Sequence, residues 1–290
     1  MSSEDKANQT GDRTASKAAL KAATRAASGW MPAKLREVWR YRGLLYVLSL
    51  REIQIRYKQS VLGLAWAMLQ PLILMLMFTL IFSVLLKVPS DGVPYPIFSY
   101  SALLFWTFFS TSLNNAIPSL ETNAQLIKKI YFPREFFPIS SVFAAIFDLV
   151  IAAIIFLGMM FYYHVHFTLN ILYVIPLLMI QTIFTMGVCF IFSALNAYYR
   201  DIKYALPLVI QLWMYASPII YPVSTIPARF QTYYALNPMT GIIVSYRNVL
   251  VKGGPPDGLY IGVAAAGAVF LFIVGYLYFK RIEMTFADVI

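Results

Sequence analysis

Apolar residues gather in six long runs, and polar residues are mostly confined to the segments between them. Five of the runs carry no charged residue, and the third is interrupted only by Asp148. The six runs are residues 61–86, 95–120, 139–163, 171–199, 204–228 and 259–279. A helix of about 20 apolar residues can cross the roughly 30 Å hydrocarbon layer of a bilayer. The pattern therefore predicts an all-α integral membrane protein with six transmembrane helices.

The segment before the first run has a different, amphipathic pattern. Within residues 31–60, Leu50, Ile53 and Tyr57 recur on one face at helical spacing, while charged residues occupy another. Such a helix lies along a membrane surface. Residues 1–30 are rich in Ser, Ala, Lys and Thr, which is typical of disordered chain. We expect a disordered basic extension at 1–30, a cytoplasmic interfacial helix at 31–60 and a transmembrane domain at 61–290.

Two connecting segments carry patterns of their own. Residues 121–137 predict a short helix ended by Pro133, with apolar side chains beside basic ones; this helix either docks a partner or only supplies positive charge. Residues 239–251 are apolar but too few to cross a bilayer, which favours a re-entrant or interfacial helix. In the sixth run, Gly262, Ala266 and Gly267 predict close helix packing.

The distribution of basic residues predicts the orientation. The chain is 60% hydrophobic, only 12% charged, and has a net charge of +10. If the N-terminus is cytoplasmic, nineteen Lys and Arg residues fall inside and four outside. Basic residues are retained on the cytoplasmic side. Both termini are therefore expected in the cytoplasm, and the charge reflects membrane orientation instead of nucleic-acid binding.

The sequence offers little catalytic chemistry. No P-loop pattern GxxxxGK[ST] is present, so we expect no nucleotide site in this chain. His164 and His166 have no carboxylate or cysteine nearby to complete a metal site, and Cys189 is isolated. Asp148 suits either a proton relay or a hydrogen-bonded position within the helix bundle. Trp66 and Trp213, near the middle of their runs, either pack or line a conduit, since aromatic faces suit sugar rings.

Several short segments, in a specific order, resemble one family. They are REIQIRYKQSVLGLAWAMLQPL (51–72), NAQLIKKIYFPREFFP (123–138), AYYRDI (197–202), SPIIYP (217–222), NPM (237–239) and the final FADVI. Together they are similar to ABC-2 type (type V) permeases that export bacterial cell-surface polysaccharide. The resemblance begins near residue 35, so the first thirty residues receive no role from it.

The resemblance implies partners and site residues. It implies a homodimer in the bacterial inner membrane, two copies of a separate ATPase that binds ATP and Mg, a lipid-linked polysaccharide substrate and periplasmic export partners, with O-antigen favoured over capsule and teichoic acid. ATPase coupling would fall to Gln125, Leu126, Lys128, Lys129, Phe132, Pro133, Arg134, Glu135, Arg200 and Asp201. The gate at the membrane surface would comprise Arg51, Arg56, Tyr57 and Lys58. The translocation path would include Trp66, Phe78, Trp213, Tyr215 and Tyr221.

Three alternatives remain open at this point. A drug or lipid exporter of the same ABC-2 type would share every topological feature. An ion-coupled secondary transporter would show internal repeats and intramembrane charges, of which the sequence offers only Asp148. A membrane-embedded glycosyl- or acyltransferase would need acidic or histidine groups clustered at one membrane face, and no such cluster is evident.

Overall fold

The computed structural model describes residues 40–58, 60–129 and 133–283, and every regular element in these ranges is a helix. The chain divides into two compact units, residues 1–47 and 48–290, and only 40–47 of the first are described. The α-helices are α1 (Arg42–Tyr57), α2 (Ala65–Phe78), α3 (Tyr95–Ala116), α4 (Ser119–Thr122), α5 (Ala124–Lys129), α6 (Phe136–Tyr162), α7 (Val174–Tyr198), α8 (Ile202–Tyr215), α9 (Ala228–Ala235), α10 (Pro238–Leu250) and α11 (Gly258–Ile282). A π-helical turn, Thr79–Leu85, extends α2, and 3-10 turns lie at Leu169–Tyr173 and Val223–Thr225.

Within the described residues, four helical stretches are long and apolar enough to cross a membrane. They are Ala65–Leu85, Phe136–Tyr162, Leu169–Tyr198 and Gly258–Ile282, with 21 to 30 residues each. These stretches agree with the first, third, fourth and sixth apolar runs. The all-helical membrane architecture expected from the sequence is therefore confirmed, whereas the count of six spans stays a prediction.

The second run forms α3, the central helix of the protein. Its 22 residues extend about 33 Å. It contacts α2, α6, α7, α8 and α10, and sixteen of its residues are buried. Hydroxyl and amide side chains lower its hydropathy. They are tolerated because most of the helix touches protein, where polar side chains find partners or line cavities.

The fifth run is not one continuous helix. Helix α8 ends at Tyr215 after 14 residues, about 21 Å, and a stretch with two prolines follows it. A proline has no backbone N–H to continue a helix. The freed carbonyls of Pro218 and Ile219 accept hydrogen bonds of 3.0 and 3.3 Å from the guanidinium of Arg247, which is buried in α10. The non-helical backbone is thus satisfied within the protein.

Asn237 joins this non-helical stretch to the start of α10. Its side-chain oxygen accepts hydrogen bonds from Trp213 Nε1 and from the backbone N–H of Met239, both at 3.1 Å. Its amide nitrogen donates to Ser217 Oγ at 3.1 Å. The SPIIYP and NPM segments are therefore one hydrogen-bonded unit, in which Asn237 also caps α10.

Helices α7 and α11 approach each other closely at Gly187 and Gly275. A Cβ added to Gly187 would lie 2.6 Å from the backbone nitrogen of Phe272, and one added to Gly275 would meet the carbonyl of Gly187. Small residues permit such an approach. Gly267 packs against Pro238, but Gly262 has open space around it. The predicted close packing is thus seen at Gly267, whereas Gly262 makes no such contact within the described protomer.

Candidate functional site

A cavity of about 250 Å³, lined by both apolar and polar side chains, lies where the end of α1 meets α2, α3 and α6. It contains two of the predicted gate residues, Arg56 and Tyr57, and one of the predicted path residues, Trp66. The lining residues with polar side chains are Arg56, Tyr57, Trp66, Gln70, Thr107, Thr111 and Asp148. Most of these positions lie in apolar runs of the sequence, so the cavity brings polar groups to membrane depth.

Asp148 is held from both sides by the end of α1. Its Oδ2 lies 2.5 Å from Arg56 Nη1, and its Oδ1 accepts a hydrogen bond of 2.6 Å from the Tyr57 hydroxyl. The side chains of Arg56 and Asp148 are only 17% and 14% exposed. This geometry agrees with the interpretation that Asp148 is hydrogen-bonded within the bundle. Its partner lies 92 residues away, so sequence spacing could not identify it.

The Tyr57 hydroxyl acts as a donor in this arrangement. Burial, reinforced by the hydrogen bond to Asp148, raises the pKa of Tyr57 above its ordinary value. The phenol therefore keeps its proton at physiological pH and donates it to the carboxylate. With both oxygens of Asp148 engaged, the end of α1 is fastened to the middle of α6.

A second contact fastens α1 to the segment predicted to dock a partner. Arg51 Nη1 donates a hydrogen bond of 3.0 Å to Asn123 Oδ1, and Asn123 in turn donates to the carbonyl of Ser119 at 2.9 Å. Asn123 lies between α4 and α5. Helix α1 therefore contacts both this segment and the cavity, while Lys58 at its end is exposed.

The basic end of α5 is available to solvent or a partner. Gln125, Lys128 and Lys129 are exposed and Leu126 is half-buried. Ile127, by contrast, is only 7% exposed. Phe132 lies outside the described residues.

The residues that follow this segment are turned inward. Glu135 is 2% exposed, and its Oε2 lies 2.5 Å from Lys280 Nζ at the end of α11. Lys280 also pairs with Glu283 at 2.7 Å, and the backbone N–H of Arg134 donates to the Glu283 carboxylate at 3.2 Å. The Arg134 guanidinium donates to the Glu283 carbonyl, and Pro133 is buried. Arg134 and Glu135 thus join the segment to the end of α11, and the sequence did not single out Lys280 or Glu283.

The predicted second cytoplasmic contact lies between α7 and α8. Arg200 and Asp201 are both exposed there. Close by, Lys203 Nζ donates to both carboxylate oxygens of Glu121, at 2.8 and 2.9 Å. Because Lys203 stabilises the ionised carboxylate, the pKa of Glu121 lies below its ordinary value.

This ion pair predicts a small pH dependence of stability. A depressed folded-state pKa contributes stability above the unfolded pKa, about 4.3, and that stability is lost as the pH falls through the folded pKa. Replacing Glu121 by glutamine should cost about 0.5 kcal/mol at pH 7, since the pair is partly exposed, and less at pH 3, where the carboxyl is more protonated. Thermal unfolding of the detergent-solubilised protein at both pH values measures this difference. An equal cost at both pH values would contradict the assignment.

The predicted path residues occupy several environments. Trp66 is half-exposed at the cavity, and Tyr215 is also exposed. Tyr221 donates to the Tyr215 carbonyl and shares a hydrogen bond with Tyr234. Phe78 is buried against Phe82, and the ring of Trp213 packs edge-on against Phe109 and Phe184 at 5.1 and 5.9 Å. Phe78 and Trp213 thus pack inside the protomer, and their role in a path stays a prediction.

A second, more open cavity of about 580 Å³ is lined by aromatic residues around α9. Tyr221 is the member that the sequence singled out. The aromatic residues lining it are Tyr221, Phe230, Tyr233 and Tyr234. The sequence of residues 228–235, ARFQTYYA, gave no indication that these rings would lie together.

Comparison with known proteins places this arrangement in a family. The model of the ABC-2 type transporter family matches residues 43–251, which include α1, the cavity and the segment around Asn123. The chain belongs to the ABC-2 type transporter family. The family resemblance inferred from the short sequence segments is therefore confirmed.

Curated relatives of this ABC-2 transporter chain cover most of its length. An O-antigen export system permease protein RfbA of Klebsiella pneumoniae is 32% identical over 248 residues, covering 85% of this chain and 95% of that protein. The protein of the same name from Myxococcus xanthus is 30% identical over 253 residues, covering 86% and 96%. The polysialic acid transport protein KpsM of Escherichia coli is 23% identical over 244 residues, covering 81% and 92%.

Proposed function

We propose that this chain is the permease subunit of an ATP-driven exporter that moves lipid-linked polysaccharide across the bacterial inner membrane. The observation that carries the proposal is identity of 30 to 32%, over at least 85% of the chain, to proteins named as O-antigen export permeases. O-antigen is favoured over capsular polysaccharide because identity to the polysialic acid transport protein is lower, at 23%.

The proposed topology has six spans and both termini in the cytoplasm. Spans one, three, four and six are the four long apolar stretches. Span two is α3, and span five is α8 with the non-helical stretch that follows it. The excess of basic residues before span one, between spans two and three, between spans four and five and after span six supports this orientation. The segment around α5, the Arg200–Asp201 turn and the end of α11 then lie on the cytoplasmic side.

In this proposal the chain itself hydrolyses nothing. Two copies of the permease form the conduit, and two copies of a separate ATPase bind ATP and Mg. The exposed basic end of α5 is the proposed dock for the ATPase. Movement of this dock would reach α1 through the Arg51–Asn123 hydrogen bond and reach the cavity through Arg56 and Asp148.

Gene deletion and affinity purification test this function together. We expect deletion to abolish surface polysaccharide, and the tagged permease to restore it and to copurify with a stoichiometric P-loop ATPase. The double substitution Lys128→Glu and Lys129→Glu should reduce ATPase recovery at least about tenfold, because it reverses the charge of the dock. Lys87→Glu, on the opposite side in the proposed topology, is the matched control and should leave recovery unchanged.

Two results would redirect the proposal. One is normal surface polysaccharide in the deletion strain together with copurification of an ATPase with the tagged permease. This combination would favour a drug or lipid exporter of the same family. Equal ATPase recovery from the double variant and the wild type would place the dock elsewhere than on α5.

A further inference from the structure

Helix α3 carries a polar stripe toward the cavity. Thr107 and Thr111 are one helical turn apart and both line the cavity, together with Gln70 of α2. Among the described residues, neither threonine hydroxyl nor the Gln70 amide has a hydrogen-bond partner. In an apolar span, such groups are costly unless a polar occupant satisfies them. The cavity therefore offers hydroxyl and amide groups that are free to bind a ligand.

The ion pair adds further donors without adding net charge. Arg56 Nε and Nη2 are buried and have no hydrogen-bond partner in the described part of the chain. The charge of Arg56 is balanced by Asp148, which lies 2.5 Å from its Nη1. An anionic ligand would meet the carboxylate as well as the guanidinium. The site consequently favours an uncharged ligand rich in hydroxyl groups.

An aromatic face completes the cavity. Trp66 is 50% exposed and lines it, and its indole N–H has no hydrogen-bond partner among the described residues. An indole ring supplies an apolar face together with one donor. The volume of about 250 Å³ is slightly below the range of roughly 300 to 1,000 Å³ for drug-sized ligands. It therefore suits one ring and not several.

We propose that this cavity binds a single uncharged sugar ring of the exported polymer. Trp66 contacts the ring face, and Gln70, Thr107, Thr111 and Arg56 bind its hydroxyl groups. The inference rests on the proposed export function, because that function supplies a polyhydroxylated substrate. Each hydrogen bond is individually modest, so a ring can enter and leave as the polymer advances.

The test is a titration of the purified full-length permease in lipid nanodiscs. The ligands are neutral methyl glycosides of the sugars in the native surface polymer, with inorganic phosphate as the anionic comparison. Tryptophan fluorescence is the readout, because Trp66 lies in the cavity. We expect a saturable change with at least one neutral glycoside and none with phosphate. Trp66→Phe should remove the change, since the reporter is lost.

The double variant Thr107→Val and Thr111→Val isolates the hydroxyl groups while keeping side-chain shape. Loss of two hydrogen bonds should weaken glycoside binding about tenfold or more. Thr182→Val, a half-buried threonine of α7 that does not line the cavity, is the matched control and should bind like the wild type. Size-exclusion chromatography confirms that each variant is folded.

The outcomes separate the inference from the proposed function. Absence of any glycoside response, binding of phosphate instead, or equal affinity in the double variant and the control would overturn the sugar site. If the wild-type gene still restores surface polysaccharide, only the inference fails. If it does not restore the polymer, the proposed function fails as well.

Discussion

Replacing Gly187 by leucine is expected to prevent this permease from accumulating as a folded protein in the membrane. An added Cβ would lie 2.6 Å from the Phe272 nitrogen and 2.7 Å from the Leu271 carbonyl carbon. These atoms are backbone and cannot move without displacing α11. Overpacking usually costs about 1 to 3 kcal/mol, and a backbone obstacle should place this variant at or above the upper end. Quantitative immunoblotting of membrane fractions and size-exclusion chromatography in detergent measure the effect.

Gly262→Leu is the matched control for that experiment. Gly262 is in the partner helix α11, but nothing lies within 4 Å of the position that its Cβ would occupy. The same substitution there should leave the amount of protein and its chromatographic profile unchanged. A Gly187→Leu protein that accumulates like the wild type would show that the α7–α11 contact tolerates separation.

Replacing Asp148 by alanine should strongly reduce both stability and export. The substitution leaves the Arg56 guanidinium without its counter-charge, although the side chain is only 17% exposed. Removing one partner of a buried ion pair typically costs about 3 to 5 kcal/mol. It also releases Tyr57, so the end of α1 loses both contacts with α6. Thermal unfolding in detergent and surface-polysaccharide staining of the complemented deletion strain measure the two effects.

Two further variants separate charge from geometry at this position. Asp148→Asn keeps hydrogen-bonding capacity without the charge and should be intermediate in stability. The double variant Arg56→Met and Asp148→Leu removes both charges and should recover most of the stability, because no unpaired charge remains. If the double variant exports polymer as well as the wild type, the ion pair serves folding alone. If Asp148→Ala is as stable as the wild type, the pair is not a structural contact.

The sequence predicts the long helices well, because a helix that crosses a bilayer must be long and apolar, and both properties can be read directly from the sequence. The third run, interrupted only by Asp148, became α6 within a few residues of its predicted ends. The fifth run differed because its prolines end α8 at Tyr215, and Arg247, thirty-odd residues later, makes the non-helical backbone acceptable. That compensation depends on a tertiary contact, which hydrophobic periodicity does not contain.

The candidate site was only partly predictable for a similar reason. Motif resemblance directed attention to Arg56, Tyr57 and Trp66, and the structure brings all three to one cavity. The partner of Arg56, in contrast, emerged only from the packing of α1 against α6. Thr107 and Thr111 left a recognisable trace, two hydroxyl residues four apart in an uncharged run, but threonine is common enough in such helices that spacing alone could not assign them a role.

The two contacts of α1 have a mechanical consequence. Arg51 and Arg56 are five residues apart, about 7.5 Å along the axis, and point to different sides of the helix. No glycine or proline lies between them, so the intervening turn of helix has no point at which to bend. We expect a displacement of Asn123 to be transmitted along α1 to the Arg56–Asp148 pair without bending of the helix. We therefore expect a displacement of a few ångströms at the Arg51 end of α1 to move the Arg56 side chain at the other end.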